Sequence, residues 1–302
     1  MISPTKISVC LPSFNSQNYL RKTLESLEAQ GFSGFEVIVV DCSEGGAVRD
    51  ICADFEFVSF KHEKSRFNPG IGRNIGANIA SGELLIFVDA DVSLATDALS
   101  NAWDFYQNGH KVFGGALDLN EQSRFQVASY LEHLFFNHES QLSRPVCIRS
   151  NLSSALMCLE RKIFLLNNGF KNIPRMQDTE LTERLIKNGS TLFFTPDVVG
   201  YQIQDSSMQK VLSKIYINGR NIFFIRYAGE SFAWRMFLAA SLPIISILKI
   251  SRIIIRHLYY QNLKNKLVTI IISPLLAFAG IFWMAGFYRS LIIGGGIDAR
   301  RD

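Results

Sequence analysis

The sequence predicts an α/β domain built on a mostly parallel sheet, followed by helices associated with a membrane. Three observations carry this reading: short β-branched runs that each stop at a polar or acidic turn, helical spacing between those runs, and a change of composition after Lys210. Residues 6–11 (KISVCL) form the first apolar run, closed by Pro12, and the polar stretch after it leads into helical spacing of Tyr19, Leu20, Leu24 and Leu27. Residues 35–40 (FEVIVV) repeat the unit and stop at Asp41. A third strand is predicted over 57–60, after which Asn68-Pro69-Gly70 opens a helix carrying Arg73, Asn74, Gly76 and Ala80. Residues 84–88 (LLIFV) then stop at Asp89. Beyond it come a helix over 98–108, a strand over 112–117, an aromatic helix over 125–136 and a strand over 156–159. Residues 169–189 give a loop, a helix and its C-cap, with Leu181, Leu185 and Ile186 facing inward.

Continuous apolar strands separated by helices imply a sheet covered on both faces. In such sheets the ligand crevice lies beyond the carboxyl ends of the strands, where Pro12 to Asn15, Asp41 and Asp89 to Asp91 fall. A nucleotide-type ligand is the expectation.

A chain of 302 residues, 48% hydrophobic and 19% charged, with mean hydropathy +0.13, is neither a disordered protein nor a small stapled scaffold. Its first 210 residues hold 19 basic and 24 acidic side chains, whereas the last 92 hold 12 and 3. A basic, apolar tail suits a surface of anionic lipid. Nucleic acid is a poor partner, because the cations interleave with Ile, Leu and Phe runs too apolar for a wet phosphate-binding face. Five cysteines, odd in number and without a Cys-x-x-Cys pair, read as reduced residues of a cytosolic domain, and no secretory signal is expected before Lys6.

In the tail, residues 267–288 run 22 positions without a charge, enough for a transmembrane helix. Residues 236–248 are only 13 uncharged positions between Arg235 and Lys249 and contain Pro243, so an interfacial or re-entrant helix is expected there. A two-helix hairpin is the runner-up, should Arg235 and Lys249 snorkel. Residues 211–227 read as an amphipathic link. The expected organisation is a catalytic domain over 1–210, interfacial helices over 211–266, a transmembrane helix over 267–288 and a short tail over 289–302.

Asp89 and Asp91, two positions apart after a strand, can hold a hard divalent cation against a diphosphate, or simply cap the turn. Asp41 can accept a hydrogen bond from a base or ribose, or cap the following loop. Arg73 can meet phosphate oxygens or a neighbouring carboxylate. Gly70, Gly72 and Gly76 do not make a phosphate-cradling G-x-G-x-x-G after a strand, which argues against a dinucleotide dehydrogenase. Asp178 and Glu180 open a helix, where one can deprotonate an acceptor hydroxyl and either can complement the helix dipole. No histidine spacing suits zinc, and no G-x-S-x-G elbow is present.

Taken in order, ISVCLPSFN at 7–15, VIVVDCSEG at 37–45, GIGRNIGANIASGELLIFVDAD at 70–91 and NNGFKNIPRMQDTEL at 167–181 resemble a family 2 glycosyltransferase of the GT-A fold over about residues 6–200. The resemblance implies nucleotide contacts from Pro12, Ser13 and Asn15 and base recognition by Asp41. It implies binding of the diphosphate and of Mg2+ or Mn2+ at Asp89 and Asp91, and an acceptor-activating base at Asp178. Arg73 and Asn74 join the donor site, and Gln177, Glu180, Tyr216 and Arg220 mark the acceptor region. Two departures stand out: the paired acids usual after the first nucleotide strand are Asp41-Cys42 here, and the usual Glu-Asp of the acceptor motif is Gln177-Asp178. The implied activity is inverting transfer of one sugar from a nucleotide-diphosphate sugar to a hydroxyl of a membrane-associated, lipid-linked or glycan acceptor, on the cytoplasmic face. Competing readings are a polyprenyl-phosphate sugar transferase, a non-catalytic nucleotide-sugar binder and a processive synthase, the last weakened because no Gln-x-x-Arg-Trp segment is present.

Overall fold

Alternating strands and amphipathic helices give the order β1 (Ile7–Ser13), α1 (Leu20–Glu28), β2 (Phe35–Asp41), α2 (Ala47–Ala53), β3 (Val58–His62), α3 (Pro69–Ile79) and β4 (Leu84–Val88) in the computed structural model, which describes residues 5–294. The four strands are parallel, in the order β3-β2-β1-β4. Their side chains sort with a period of two. Val9, Leu11, Val37, Val39 and Ile86 pack with Leu20, Leu24 and Leu27 of α1, while Cys10, Ile38, Val40, Leu85 and Phe87 pack with Ala77 of α3. Both faces are covered, so the strands read as unbroken apolar runs.

The chain continues through β5 (Val92–Leu94), α4 (Ala98–Gln107), β6 (Val112–Leu119), α5 (Glu121–Arg124), α6 (Val127–Phe136), β7 (Cys147–Arg149), β8 (Leu156–Glu160), α7 (Arg161–Leu166), α8 (Gln177–Lys187) and β9 (Leu192–Gln202). β8 lies antiparallel to β4, and the sheet extends through β6, β9 and β5, with β7 beside β9. The parallel character expected for the sheet therefore holds in its first half. An apolar run encodes burial but not strand direction, which the connections decide.

Two compact units result. The first holds the residues up to Asp118, Arg144–Asn172 and Gln177–Ile203. The second holds Leu119–Ser143, Ile173–Met176 and the chain from Gln204 onward. Its membrane-associated part comprises α9 (Met208–Arg226), α10 (Phe232–Tyr260) and α11 (Leu263–Ile293). Phe232–Tyr260 and Asn265–Ile293 are each long and apolar enough to cross a membrane. The two helices run antiparallel: Arg235 Nη2 donates to the Leu291 carbonyl at 2.9 Å, Tyr288 Oη to that of Ala239 at 2.7 Å and Ser246 Oγ to that of Gly280 at 3.1 Å. α9 meets α11 backbone to backbone, since a Cβ on Gly219 would sit 1.9 Å from the Trp283 carbonyl oxygen and one on Gly286 2.0 Å from that of Tyr216.

Residues 236–248, expected as a short interfacial or re-entrant piece, are the middle of one continuous 29-residue helix, roughly 43 Å long at about 1.5 Å per residue. The charges that seemed to bound the segment are accommodated inside the unit. Arg235 has the Leu291 carbonyl and the Phe223 ring, and Lys249 lies 4.9 Å from the Phe135 ring and 5.2 Å from the Trp283 ring. The tail expected from 289 is helical to Ile293, and beyond Gly294 it lies outside the described residues.

Candidate active site

β1 and β2 end side by side with Ser13 opposite Asp41, so the turns that follow them touch. Asp41 Oδ1 accepts from Ser13 Oγ at 2.8 Å and from Ser43 Oγ at 2.6 Å, and Oδ2 accepts from the Ser43 N–H at 3.1 Å. Asn15 adopts φ 52°, a left-handed conformation that asparagine tolerates, and donates its N–H to Ser43 Oγ at 2.8 Å. Asp41, expected to face a base, is 1% exposed and thoroughly engaged by the turn. The group beside it is His62, whose Nδ1 lies 3.6 Å from Asp41 Oδ2 and whose side chain is 30% exposed. Sequence reasoning passed over His62. The register that sets it opposite Asp41 is what reveals it.

α3 approaches β1 closely because Gly72 and Gly76 carry no side chain: a Cβ on Gly72 would lie 3.0 Å from Pro12 Cβ, and one on Gly76 3.1 Å from Cys10 Cβ. That approach delivers Arg73 and Asn74. Arg73 is 2% exposed, forms an ion pair with Asp89 and lies 5.5 Å from the Phe170 ring centroid. Among the described residues its Nε has no hydrogen-bond partner. Asn74, expected to touch a donor, donates from Nδ2 to the Phe170 carbonyl at 2.8 Å and accepts the Phe170 N–H at Oδ1, also at 2.8 Å. It ties α3 to the loop before α8.

The Asp89–Asp91 turn is pinned by Thr23 Oγ1, which donates to the Ala90 carbonyl at 2.9 Å. The Asp91 carbonyl accepts the Ile203 N–H at 2.8 Å, and its carboxylate oxygens lie 3.4 and 3.5 Å from Gln202 Nε2. Among the described residues no three His, Cys, Asp or Glu side chains converge as a metal cage. Two carboxylates nevertheless suit a cation that takes its remaining ligands from substrate phosphates and water, and the unpartnered Arg73 Nε suits an anion there.

α8 opens on Gln177, which is buried, and Asp178, whose Oδ1 accepts the Thr179 N–H at 2.8 Å. Burial pushes the Asp178 carboxyl above the usual carboxylate range. The N–H groups of Thr179 and Ser154 and the Arg73 charge pull the other way, and the Asp89 charge adds to the rise. Asp178, Arg73 and Asp89 thus lie within electrostatic reach of one another. Two positions on, Glu180 behaves oppositely. Burial opposes its charge, but Arg184 and Lys171 outweigh burial and hold its carboxyl below the usual value. Arg184 donates to it from Nε at 3.0 Å and Nη2 at 2.7 Å, and Lys171 Nζ stands at 2.7 Å. Environments that push neighbouring carboxyl groups apart separate a candidate base, Asp178, from a structural acid, Glu180. Tyr216 and Arg220 belong to α9, where the Arg220 carbonyl accepts from Ser290 Oγ at 3.0 Å.

A separate cleft of about 640 Å3, lined by Thr5, Glu83, Glu160 and Arg161, lies at the amino ends of β1 and β4, the end away from Asp41 and Asp89. It is not where an open α/β sheet places its ligand.

Residues 8–164 match the family described as Glycosyl transferase family 2. The chain belongs to that family. Among curated relatives, this family 2 member is similar to the GalNAc(5)-diNAcBac-PP-undecaprenol beta-1,3-glucosyltransferase of Campylobacter jejuni, 26% identical over 171 residues, covering 55% of this chain and 54% of that protein. The chain therefore spans about half the length of that relative. Among solved structures, it matches the mannosyltransferase PcManGT of Pyrobaculum calidifontis, in complex with GDP-Man and Mn2+, at 16% identity and TM-score 0.62 over 97% of this chain and 88% of that one. It also matches Staphylococcus aureus TarS 1-349 in complex with UDP-GlcNAc, at 18% identity and TM-score 0.52 over 95% and 90%. These likenesses establish the fold, a GT-A-like sheet followed by helices.

Proposed function

We propose that this family 2 member transfers a single sugar, with inversion, from a nucleotide-diphosphate sugar to a hydroxyl of a lipid-linked glycan at a membrane, its sheet unit on the cytoplasmic side. The observation that carries the reading is the meeting of Arg73, Asp89 and an Asp178 of raised proton affinity at the carboxyl end of the sheet. The Campylobacter relative, named for a polyprenol-diphosphate acceptor, and the two long apolar helices support the acceptor class.

In this reading Asp178 takes the proton from the acceptor hydroxyl as its oxygen attacks the anomeric carbon. The bond from that carbon to the diphosphate oxygen breaks on the opposite face, which inverts the centre. Pro12, Ser13, Asn15 and His62 line the nucleotide side, and Asp41 and Asn74 position what surrounds it. Arg73 offers its guanidinium to the diphosphate while holding Asp89. A divalent cation at Asp91 and Asp89 would neutralise charge developing on the departing diphosphate.

The test is product mass spectrometry after membranes containing the protein meet a panel of nucleotide sugars and lipid extract. A singly glycosylated lipid that Asp178→Asn fails to form is the expected outcome. Full transfer by that variant would remove the base from the mechanism, and long polymers would remove the single-sugar reading.

A further inference from the structure

The loop between β7 and β8 touches the segments that carry Asp89 and Asp178, and the proposed mechanism gives it no part. Leu152 anchors it: the side chain is buried in the core and fits over Gly114, where a Cβ would come within 3.0 Å of Leu152 Cδ2. At the far end of the loop the Ala155 carbonyl accepts the Asp89 N–H at 3.3 Å. At the near end Asn151 Oδ1 accepts from Thr182 Oγ1 at 2.7 Å, and the same hydroxyl lies 2.8 Å from the Asp178 carbonyl, one helical turn earlier on α8. Asn151 is thus held beside the first turn of α8 by a group that also touches Asp178.

The bond to Thr182 takes one side of the Asn151 amide and fixes how it is turned. The other side, Nδ2 with its two N–H donors, meets no acceptor among the described residues, and the residue is half-buried rather than enclosed. A donor locked in place with nothing to bond suits an oxygen that a ligand brings. Next to a base, that oxygen belongs to the molecule that gives up its proton. The hydroxyls of a sugar ring have nearly the same chemistry, so a base alone accepts a proton from whichever one is presented. A fixed donor that must be met by a neighbouring oxygen presents one of them and rejects poses that leave it unpaired.

We propose that Asn151 Nδ2 donates a hydrogen bond to the oxygen beside the attacking hydroxyl on the acceptor sugar and so determines which hydroxyl is glycosylated. The acceptor class is a sugar that carries a hydrogen-bond-accepting oxygen, of a hydroxyl or an amide carbonyl, next to the reacting position. Asn151 determines specificity and takes no proton. This role rests on the proposed transfer with Asp178 as base and adds to it a choice among hydroxyls.

Membranes containing the full chain are given the panel of nucleotide sugars and lipid extract. Transfer rates are measured against donor and against lipid concentration, and the linkage of the product is read by permethylation and mass spectrometry. Wild-type protein should make one linkage. Asn151→Asp keeps an oxygen for Thr182 but loses the N–H donors, so a merely structural role leaves it like wild type and the proposed role does not. Rates are compared on the alkaline plateau of the wild-type profile, where the added charge no longer decides whether Asp178 is ionised. There Asn151→Asp and Asn151→Ala should both transfer about three- to tenfold less efficiently at limiting acceptor, the worth of one neutral hydrogen bond, and a second linkage should appear. Donor KM should stay at the wild-type value, which also shows that both variants are folded. A single linkage at unchanged efficiency in Asn151→Asp overturns the role. So does a raised donor KM with the linkage kept, which would set Asn151 against the donor sugar. Either result, with wild type active, removes Asn151 alone and leaves the transferase reading intact, whereas no transfer by wild type overturns that reading and this role together.

Discussion

The two units differ in where some of their cations are seated. In the sheet unit, charged groups meet charged or hydrogen-bonding partners across the chain: Arg73 with Asp89, Glu180 with Arg184 and Lys171, and Asp41 with Ser13 and Ser43. In the helical unit Arg256 pairs with Glu139 and Lys214 with Glu132, but other cations rest on aromatic faces and backbone carbonyls, as Arg235 does on Phe223 and Leu291 and Lys249 on Phe135 and Trp283. Pairing fixes geometry around an atom to be reacted upon. Aromatic seating holds a positive charge without an acid.

The contrast can be broken most decisively at Asp178. Asp178→Asn should cut transfer by about a hundred- to ten-thousand-fold while leaving nucleotide affinity and membrane association unchanged, a result that product assays and flotation would separate. Because the folded-state carboxyl titrates above its ordinary value, wild-type activity should lose its base on the acid side at a pH higher than an ordinary carboxylate gives. The stability sign is the reverse of a salt bridge: the fold loses stability as pH rises from the ordinary carboxylate pKa through the raised one. Asp178→Asn should therefore raise the melting temperature at neutral pH. A lowered one would contradict the burial argument.

Arg73→Gln comes next, leaving Asp89 unpaired and removing a guanidinium from the proposed diphosphate position. Donor KM should rise about ten- to a hundredfold, the worth of charge-assisted hydrogen bonds, with kcat less affected; an unchanged KM would assign Arg73 to structure alone. In the helical unit, Gly286→Leu drives a side chain into the Tyr216 carbonyl. It should cost about 1–3 kcal/mol or more, seen as a lower melting temperature in detergent with nucleotide affinity retained. A lost nucleotide affinity would show that nucleotide binding needs the packing of α9 against α11. Glu180→Gln should have the smallest effect, about 1 kcal/mol of stability. Its depressed pKa makes that contribution full above the ordinary carboxylate value and lost as pH falls through the lowered one. The variant should therefore match wild type in acid and fall behind it at neutral pH.

Much of the sheet unit was legible because β1, β2 and β4 bury both faces and end at Ser13, Asp41 and Asp89, so apolar run and polar stop announce both the strand and the crevice. His62 was not legible, since nothing in its local sequence marks it until β3 pairs with β2. The tie from Asn74 to Phe170 was hidden as well, because Phe170 is far away in sequence. In the tail, Arg235 and Lys249 look like boundaries to any local measure of hydropathy, and only their partners on α6, α9 and α11 allow one helix to run through both.

By itself, then, the sequence determined the strands and their polar ends, the acidic residues at Asp89, Asp91 and Asp178, and a basic, apolar C-terminal region. These are local properties of period, composition and spacing. The tertiary structure decided which strands run antiparallel, how oppositely burial and its partners act on Asp178 and Glu180, and how α10 passes through its charges. Each of these depends on groups brought together from distant positions, and on the burial that their meeting creates.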